Sequence, residues 1–129
     1  MTSSAAESLA QCRVLVVEDE FYLADDMAVA LRKLGAEVVG PVPTKDKALA
    51  LLASEDTIDA AVLDINLKGQ TVYPVADALA ERGVPFVFAT GYDQAAVPPE
   101  YQRVPLWEKP FKPEALARAL PSLMQRTDA

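Results

Sequence analysis

Four apolar runs of this chain each end in residues that could do chemistry together. Arg13-Val14-Leu15-Val16-Val17 leads into Glu18-Asp19-Glu20, and Ala60-Ala61-Val62-Leu63 leads into Asp64. Pro85-Phe86-Val87-Phe88-Ala89 leads into Thr90-Gly91, and Val104-Pro105-Leu106-Trp107 leads into Glu108-Lys109-Pro110. Carboxylates about 5 Å apart repel by roughly 3 kcal/mol per pair at an effective dielectric near 20, so a fold that gathers them needs a cation. Mg²⁺ is the natural one, because it is hard, prefers oxygen, and takes one or two carboxylates plus phosphate oxygens. Lys109 then has a task as a fixed positive charge for a phosphoryl group. Thr90 can donate a hydrogen bond to a phosphoryl oxygen. Asp64 is left as a nucleophile, since carboxylates form acyl phosphates. In such transfers the protein mostly positions groups and neutralises charge.

These residues work together only if the fold brings the run ends to one place. The runs are continuous rather than alternating, which marks strands covered on both faces. Between them the period changes. Leu23, Met27, Ala30, Leu31 and Leu34 fall at helical spacing, and Gly35 is a good stop. A short second strand is expected from Glu37 to Pro41, followed by a helix capped by Thr44 with Ala48, Leu49 and Leu52 facing inward. A third helix is expected from about Pro74 to Gly83, and a last one from Pro113 with Leu116, Leu120 and Leu123 on one side. Pro121 should kink that helix or end it early. Asp93 to Arg103 holds Pro98 and Pro99 with little helical period, so a short or irregular fourth helix is expected there. Strands interleaved with helices predict an α/β fold: a three-layer, doubly wound, five-stranded parallel sheet. Ligands of such sheets bind beyond the carboxyl ends of the strands, which is where Glu18, Asp19, Asp64, Thr90 and Lys109 lie.

Composition removes other classes. The chain has 129 residues with 51% hydrophobic and 24% charged, the balance of one globular domain. The formal net charge of −7 disfavours nucleic acid and anionic membranes as partners. Histidine is absent, which excludes His-based zinc sites and Ser-His or Cys-His nucleophile pairs. Cys12 is the one cysteine and forms no internal disulfide. No signal peptide and no membrane span are visible, so a cytoplasmic location is expected. Residues 1–11 are expected to be a flexible N-terminus, and 12–126 one domain with no output domain after it. No G-x-G-x-x-G follows the first strand, and no G-x-x-x-x-G-K-[ST] exists. An FMN binder would want a hydroxyl- and amide-rich loop where the first strand ends in acids. A phosphatase of the haloacid-dehalogenase type would place its nucleophile after the first strand, whereas Asp64-Ile65-Asn66 follows the third.

Val14-Leu15-Val16-Val17-Glu18-Asp19-Glu20, Ala61-Val62-Leu63-Asp64-Ile65-Asn66-Leu67, Phe88-Ala89-Thr90-Gly91 and Glu108-Lys109-Pro110-Phe111, in that order, resemble the receiver domain of response regulators in two-component signalling. The resemblance runs from about Arg13 to Met124. It implies the strand order 2-1-3-4-5, with Asp64 as phosphoacceptor and Glu18, Asp19, Asp64 and the Asn66 backbone carbonyl around Mg²⁺. It further implies that Thr90 follows the phosphoryl group, that Lys109 pairs with it, and that the Lys109-Pro110 bond is cis. Pro85-Phe86-Val87-Phe88-Ala89-Thr90-Gly91-Tyr92 resembles the "FAT GUY" signature of single-domain alphaproteobacterial response regulators. That narrower resemblance implies a sensor histidine kinase of the HWE type as donor, and a downstream protein or phosphotransferase as recipient in a phosphorelay. Such a protein is a phosphoacceptor rather than an enzyme, although it assists its own phosphorylation and dephosphorylation. The other reading is a receiver-like interaction module that works without phosphorylation.

Two positions depart from the family pattern. Most receivers carry an aromatic residue three positions before the lysine, where this chain has Leu106; Tyr92 and Trp107 are the aromatic residues nearby. Leu67-Lys68-Gly69 stands where many receivers have a proline-containing turn, so the loop after Asp64 should differ. Taken singly, each residue also has a bland reading. Glu18 to Glu20 could favour a helix N-terminus, Asp64 could form a turn, and Lys109 could be a solvated surface lysine. Their joint placement at strand ends is what outweighs those readings.

Overall fold

The computed structural model describes residues 8–91 and 97–128. In chain order the elements are β1 (Arg13–Val17), α1 (Phe21–Lys33), β2 (Glu37–Val42), α2 (Lys45–Ser54), β3 (Ala60–Asp64), the short pair β4 (Asn66–Leu67) and β5 (Gln70–Thr71), α3 (Tyr73–Glu81), β6 (Phe86–Thr90), a 3₁₀ turn (Pro99–Tyr101), β7 (Leu106–Glu108) and α4 (Pro113–Asp128). The main sheet is parallel with the order β2-β1-β3-β6-β7. Leaving the β4–β5 hairpin aside, this is the expected 2-1-3-4-5.

The continuous apolar runs are the central strands, and their alternate residues feed two separate cores. Leu15, Val17, Leu63 and Phe88 meet Leu52 of α2 and Leu79 of α3 on one face. Val14, Val16, Val62 and Val87 meet Met27 and Leu31 of α1 and Leu120 of α4 on the other. Each fully buried Leu, Val or Phe stabilises the fold by about 1.5–3 kcal/mol. The helix ends follow local chemistry. The Lys47 N–H donates to Thr44 Oγ1 at 3.1 Å at the start of α2. Gly35 takes φ +100° after α1, a conformation that disfavours any side chain. Arg82 donates to the carbonyls of Leu52, Glu55 and Asp56, tying the end of α3 to the end of α2.

Several boundaries differ from expectation. β2 continues through Pro41 to Val42, and its register against β1 shifts between Leu15 and Val17. An edge strand tolerates a proline because one side of its ladder has no partner to supply. β7 begins at Leu106 rather than Val104, because the Val104 N–H is spent on Tyr101 O at 3.1 Å and Pro105 has no N–H. Of the two outcomes expected at Pro121, a kink or an early end, the early end is not found: α4 runs through the buried proline to Asp128. Apolar packing of that side of the helix offsets the missing hydrogen bond. Between β6 and β7 the described element is a single 3₁₀ turn, as the prolines there suggested, while 92–96 lie outside the described residues. Of the flexible N-terminus expected over residues 1–11, residues 1–7 lie outside the described residues, and the described part is docked on the domain. Leu9 is 1% exposed in the α1–α4 core, and its N–H donates to Leu34 O at 2.8 Å. Among the described residues no helix is long and apolar enough to cross a membrane.

Candidate functional site

The parallel register lines up the carboxyl ends of the strands. Val17 is opposite Leu63, Asp64 is opposite Ala89, and Thr90 is opposite Glu108. Glu18, Asp64, Thr90 and Lys109 therefore emerge side by side, as the strand-end argument requires. Asp64 and Lys109 border a cleft of about 790 Å³ walled also by Asp19, Glu20, Asn66, Lys68 and Gly91, among others. Asp64 and Thr90 are each 4% exposed and Glu18 7%, so the chemistry sits at the floor rather than on the surface. The Lys109-Pro110 bond is cis, as expected, and so is Gly40-Pro41, which nothing in the sequence announced.

The loop after Asp64 is a two-residue hairpin. Lys68 and Gly69 both have positive φ, 54° and 89°, the twist that a tight hairpin between right-handed strands requires. Asn66 is fixed at both ends: its N–H donates to Asp64 Oδ1 at 3.3 Å, and its side-chain oxygen accepts from Gly69 N–H at 3.0 Å. Leu67 anchors the hairpin in the core.

Among the described residues, Lys109 is the cation in contact with the carboxylates. Lys109 Nζ lies 2.7 Å from Glu20, 3.1 Å from Glu18 and 3.3 Å from Asp64. Burial, and then the charge of Glu18, push the Asp64 carboxyl up to about 8, further than Lys109 can pull it back. Burial also raises Glu18, against the hydrogen bond from the Glu20 N–H and the charge of Lys109. Burial alone would lower Lys109, but its hydrogen bond to Glu20 and the charges of Asp64 and Glu18 hold it above the ordinary lysine range. So the floor carries more negative charge than one ammonium offsets. One carboxylate oxygen each from Glu18, Asp19 and Asp64 lies within 4.8 Å of the others, an all-oxygen set that suits a hard divalent cation. Mg²⁺ is such a cation, and the open cleft beside half-buried Asp19 leaves room for its water ligands.

The structure brings Glu18, Asp19 and Asp64 together beside Lys109, with Asn66 hydrogen-bonded to Asp64 and Thr90 at the adjoining strand end, and it adds other residues. Glu20 was legible only as the third acid of a triplet; it occupies the N-cap position of α1 without capping it and reaches Lys109 instead. Leu106, at the position where an aromatic is usual, is half-buried beside a cavity of about 120 Å³ also lined by Phe88, Val97 and Tyr101. Tyr101 supplies the aromatic ring there. It stacks on Tyr73 at 5.4 Å, meets Phe88 edge-on at 5.6 Å, and donates its hydroxyl to Asp77. Nothing in the local sequence around Pro98 and Pro99 pointed to it. Trp107 packs against Phe111 at 5.9 Å, while Tyr92 lies outside the described residues.

No family model matches the chain. Solved structures and a curated relative do. SdrG from Sphingomonas melonis Fr1 is 41% identical, with 88% of this chain and 96% of that one covered and a TM-score of 0.75. The BeF3-activated conformation of SdrG, from Pseudomonas melonis Fr1, matches at 41% identity over 89% and 98% of the two chains, with a TM-score of 0.71. The response regulator receiver protein from Sinorhizobium medicae WSM419 is 26% identical over 93% of this chain and 99% of its own, with a TM-score of 0.77. The sensory transduction protein LytT of Bacillus subtilis (strain 168) is 30% identical over 84% of this chain, which spans 46% of that protein's length. A five-stranded 2-1-3-4-5 sheet, an acid-lined floor at its carboxyl edge and relatives covered almost end to end have one common description: the chain belongs to the response-regulator receiver family.

Proposed function

We propose that residues 12–126 act as a single-domain response regulator, in which Asp64 accepts a phosphoryl group from a sensor histidine kinase with the help of Mg²⁺. The observation that carries this reading is the buried Asp64, with carboxylate oxygens of Glu18 and Asp19 within 4.8 Å and the Lys109 ammonium at 3.3 Å. The BeF3-activated form of SdrG also supports it, since BeF3 is a tetrahedral anionic group similar in shape to a phosphoryl. Glu18, Asp19, Asp64 and the Asn66 carbonyl would hold Mg²⁺, whose charge makes the site tolerable to an incoming phosphate. Asp64 Oδ attacks phosphorus; the bond from phosphorus to the donor nitrogen or oxygen breaks, and its electron pair leaves with the donor. Lys109 neutralises the charge that arrives, and Thr90 donates to a phosphoryl oxygen and follows it. The kinase is of the HWE type on the strength of the Pro85 to Tyr92 signature. The signal then passes to a downstream protein, or the phosphoryl group passes to a phosphotransferase. A cytoplasmic location fits both, with neither nucleic acid nor membrane as a partner.

The test is intact-mass measurement after incubation with acetyl phosphate and Mg²⁺, beside Asp64→Asn. The reading expects one phosphoryl mass on the wild type and none on the variant. No gain from either acetyl phosphate or a purified HWE-type kinase would instead favour an interaction module that works without phosphorylation.

A further inference from the structure

Lys109 has one partner more than the acceptor chemistry asks for. An ammonium offers three donors, and all three are engaged, by Glu20 at 2.7 Å, Glu18 at 3.1 Å and Asp64 at 3.3 Å. Glu18 and Asp64 are buried; Glu20 makes the shortest of the three contacts although its side chain is 62% exposed at the cleft wall. Its location makes that pairing informative. Glu20 holds the N-cap position of α1, where a side chain ordinarily accepts from the first helical N–H groups, yet it makes no such bond. It reaches instead to a residue 89 positions along the chain.

We propose that Glu20 is a positioning residue for phosphoryl transfer: it draws the Lys109 ammonium toward the cleft rim in the resting chain and releases it to the phosphoryl group formed on Asp64. The inference rests on the acceptor reading of Asp64. Acyl-phosphate formation takes the carboxylate charge from Asp64 and puts the charge on phosphoryl oxygens one bond further out, so the ammonium that now meets Asp64 at 3.3 Å must shift to reach them and loosen its hold on Glu18 or Glu20. Glu18 is costly to abandon, because a buried carboxylate would lose its cation without regaining water. Glu20 is cheap, because water rehydrates an exposed carboxylate and exposed ion pairs are weak. Until it lets go, Glu20 competes with the transferring group for the same ammonium. Glu20 thus sets how readily Lys109 engages, while Asp64 and Lys109 do the chemistry.

The experiment follows phosphoryl gain by intact mass over time, on the full chain with Mg²⁺ and a series of acetyl phosphate concentrations. Wild type, Glu20→Gln and Glu20→Asp are compared. Glu20→Gln should be phosphorylated roughly two- to five-fold faster, the range that a weak ion pair allows. Glu20→Asp keeps the charge but is one methylene short of Lys109, and it should be as fast as Glu20→Gln. A purely structural role would lower the melting temperature of both variants without speeding the reaction, and would overturn the inference. So would Glu20→Asp at the wild-type rate beside a faster Glu20→Gln, which would mean that only the repulsion of an anionic donor matters. Equal rates in all three chains would overturn it while leaving Asp64 as acceptor. A wild type that gains no mass from acetyl phosphate or from a purified HWE-type kinase would overturn the acceptor reading itself, and this inference with it.

Discussion

The backbone N–H of Lys109 donates to the carbonyl oxygen of Thr90 at 2.8 Å. The hydroxyl expected to follow a phosphoryl group and the ammonium expected to pair with it are therefore joined through the ladder between β6 and β7, where Thr90 is opposite Glu108. A movement of one strand end is a movement of the other. Trp107, the single tryptophan, sits on β7 two residues before Lys109 with its ring against Phe111.

That linkage makes Trp107 a reporter. Phosphorylation of the wild type should change its fluorescence. Thr90→Ala should still gain a phosphoryl mass at Asp64 but show less than half of the fluorescence change, while Thr90→Ser should retain most of it. The group can shift the chain only through contacts that differ between the two states, and the Thr90 hydroxyl is the contact removed. A full fluorescence response in Thr90→Ala would show that β7 moves without the hydroxyl.

The acid-rich floor sets a second expectation. Asp64 is raised to about 8, so burial and the charge of Glu18 outweigh the attraction of Lys109 in the metal-free chain. Replacing it by Asn removes the disfavoured charge. Asp64→Asn should melt higher than wild type in chelator, by about 2–8 °C for 1 kcal/mol or so of relieved repulsion in a domain of this size. Mg²⁺ at ten times its dissociation constant should stabilise the wild type by about 1.4 kcal/mol, and the variant less. A lower melting point for Asp64→Asn in chelator would refute the picture of crowded charge.

The same group fixes the sign of a pH effect. In the unfolded chain Asp64 titrates near 3.8, and in the folded chain near 8. Between those values the folded chain binds the extra proton, so the contribution of Asp64 to stability is fully present below about pH 4 and is lost as pH rises toward 8. The shift of Glu18 is in the same direction. Urea midpoints of chelated protein should therefore fall from pH 5 to pH 8, with a flatter profile in Asp64→Asn. Midpoints that rise over this interval would contradict the burial of an excess carboxylate.

How the sequence foretold this site depends on what kind of signal each residue leaves. Val14 to Val17 and Phe86 to Ala89 are buried on both faces, and such burial writes itself as a continuous apolar run. The ends of β1, β3 and β6, and with them Glu18, Asp64 and Thr90, could therefore be placed from the residue pattern, whereas Lys109 follows the half-exposed β7, whose run is weaker. Side-chain reach leaves no such trace. Glu20 bonding Lys109 across 89 positions, and Tyr101 filling the space beside Leu106, depend on where helices and turns set the chain down. The Lys68-Gly69 hairpin is intermediate. Gly69 at a tight turn is an ordinary cue, but Lys68 with positive φ is not one that residue type suggests.

Leu9 belongs to the unreadable class, and it carries the last expectation. It is one apolar residue beside the polar and small residues Ser8, Ala10 and Gln11, and by composition that stretch looked loose. In the fold its side chain is 1% exposed among Leu31, Leu116 and Leu120, and its N–H is held by Leu34 O at 2.8 Å. Gly35 makes this possible, because a side chain there would press on the Ala10 backbone at 3.1 Å. A core leucine truncated to alanine costs about 2–5 kcal/mol, depending on how far the site collapses. Because Leu9 lies outside the helices and strands, its backbone can shift to fill part of the gap, and the lower half of that range is expected for Leu9→Ala. Its urea midpoint should drop accordingly, while phosphorylation of Asp64 in the folded fraction should proceed at the wild-type rate. A midpoint unchanged from wild type would mean that the segment before β1 does not dock on α1 and α4 in solution.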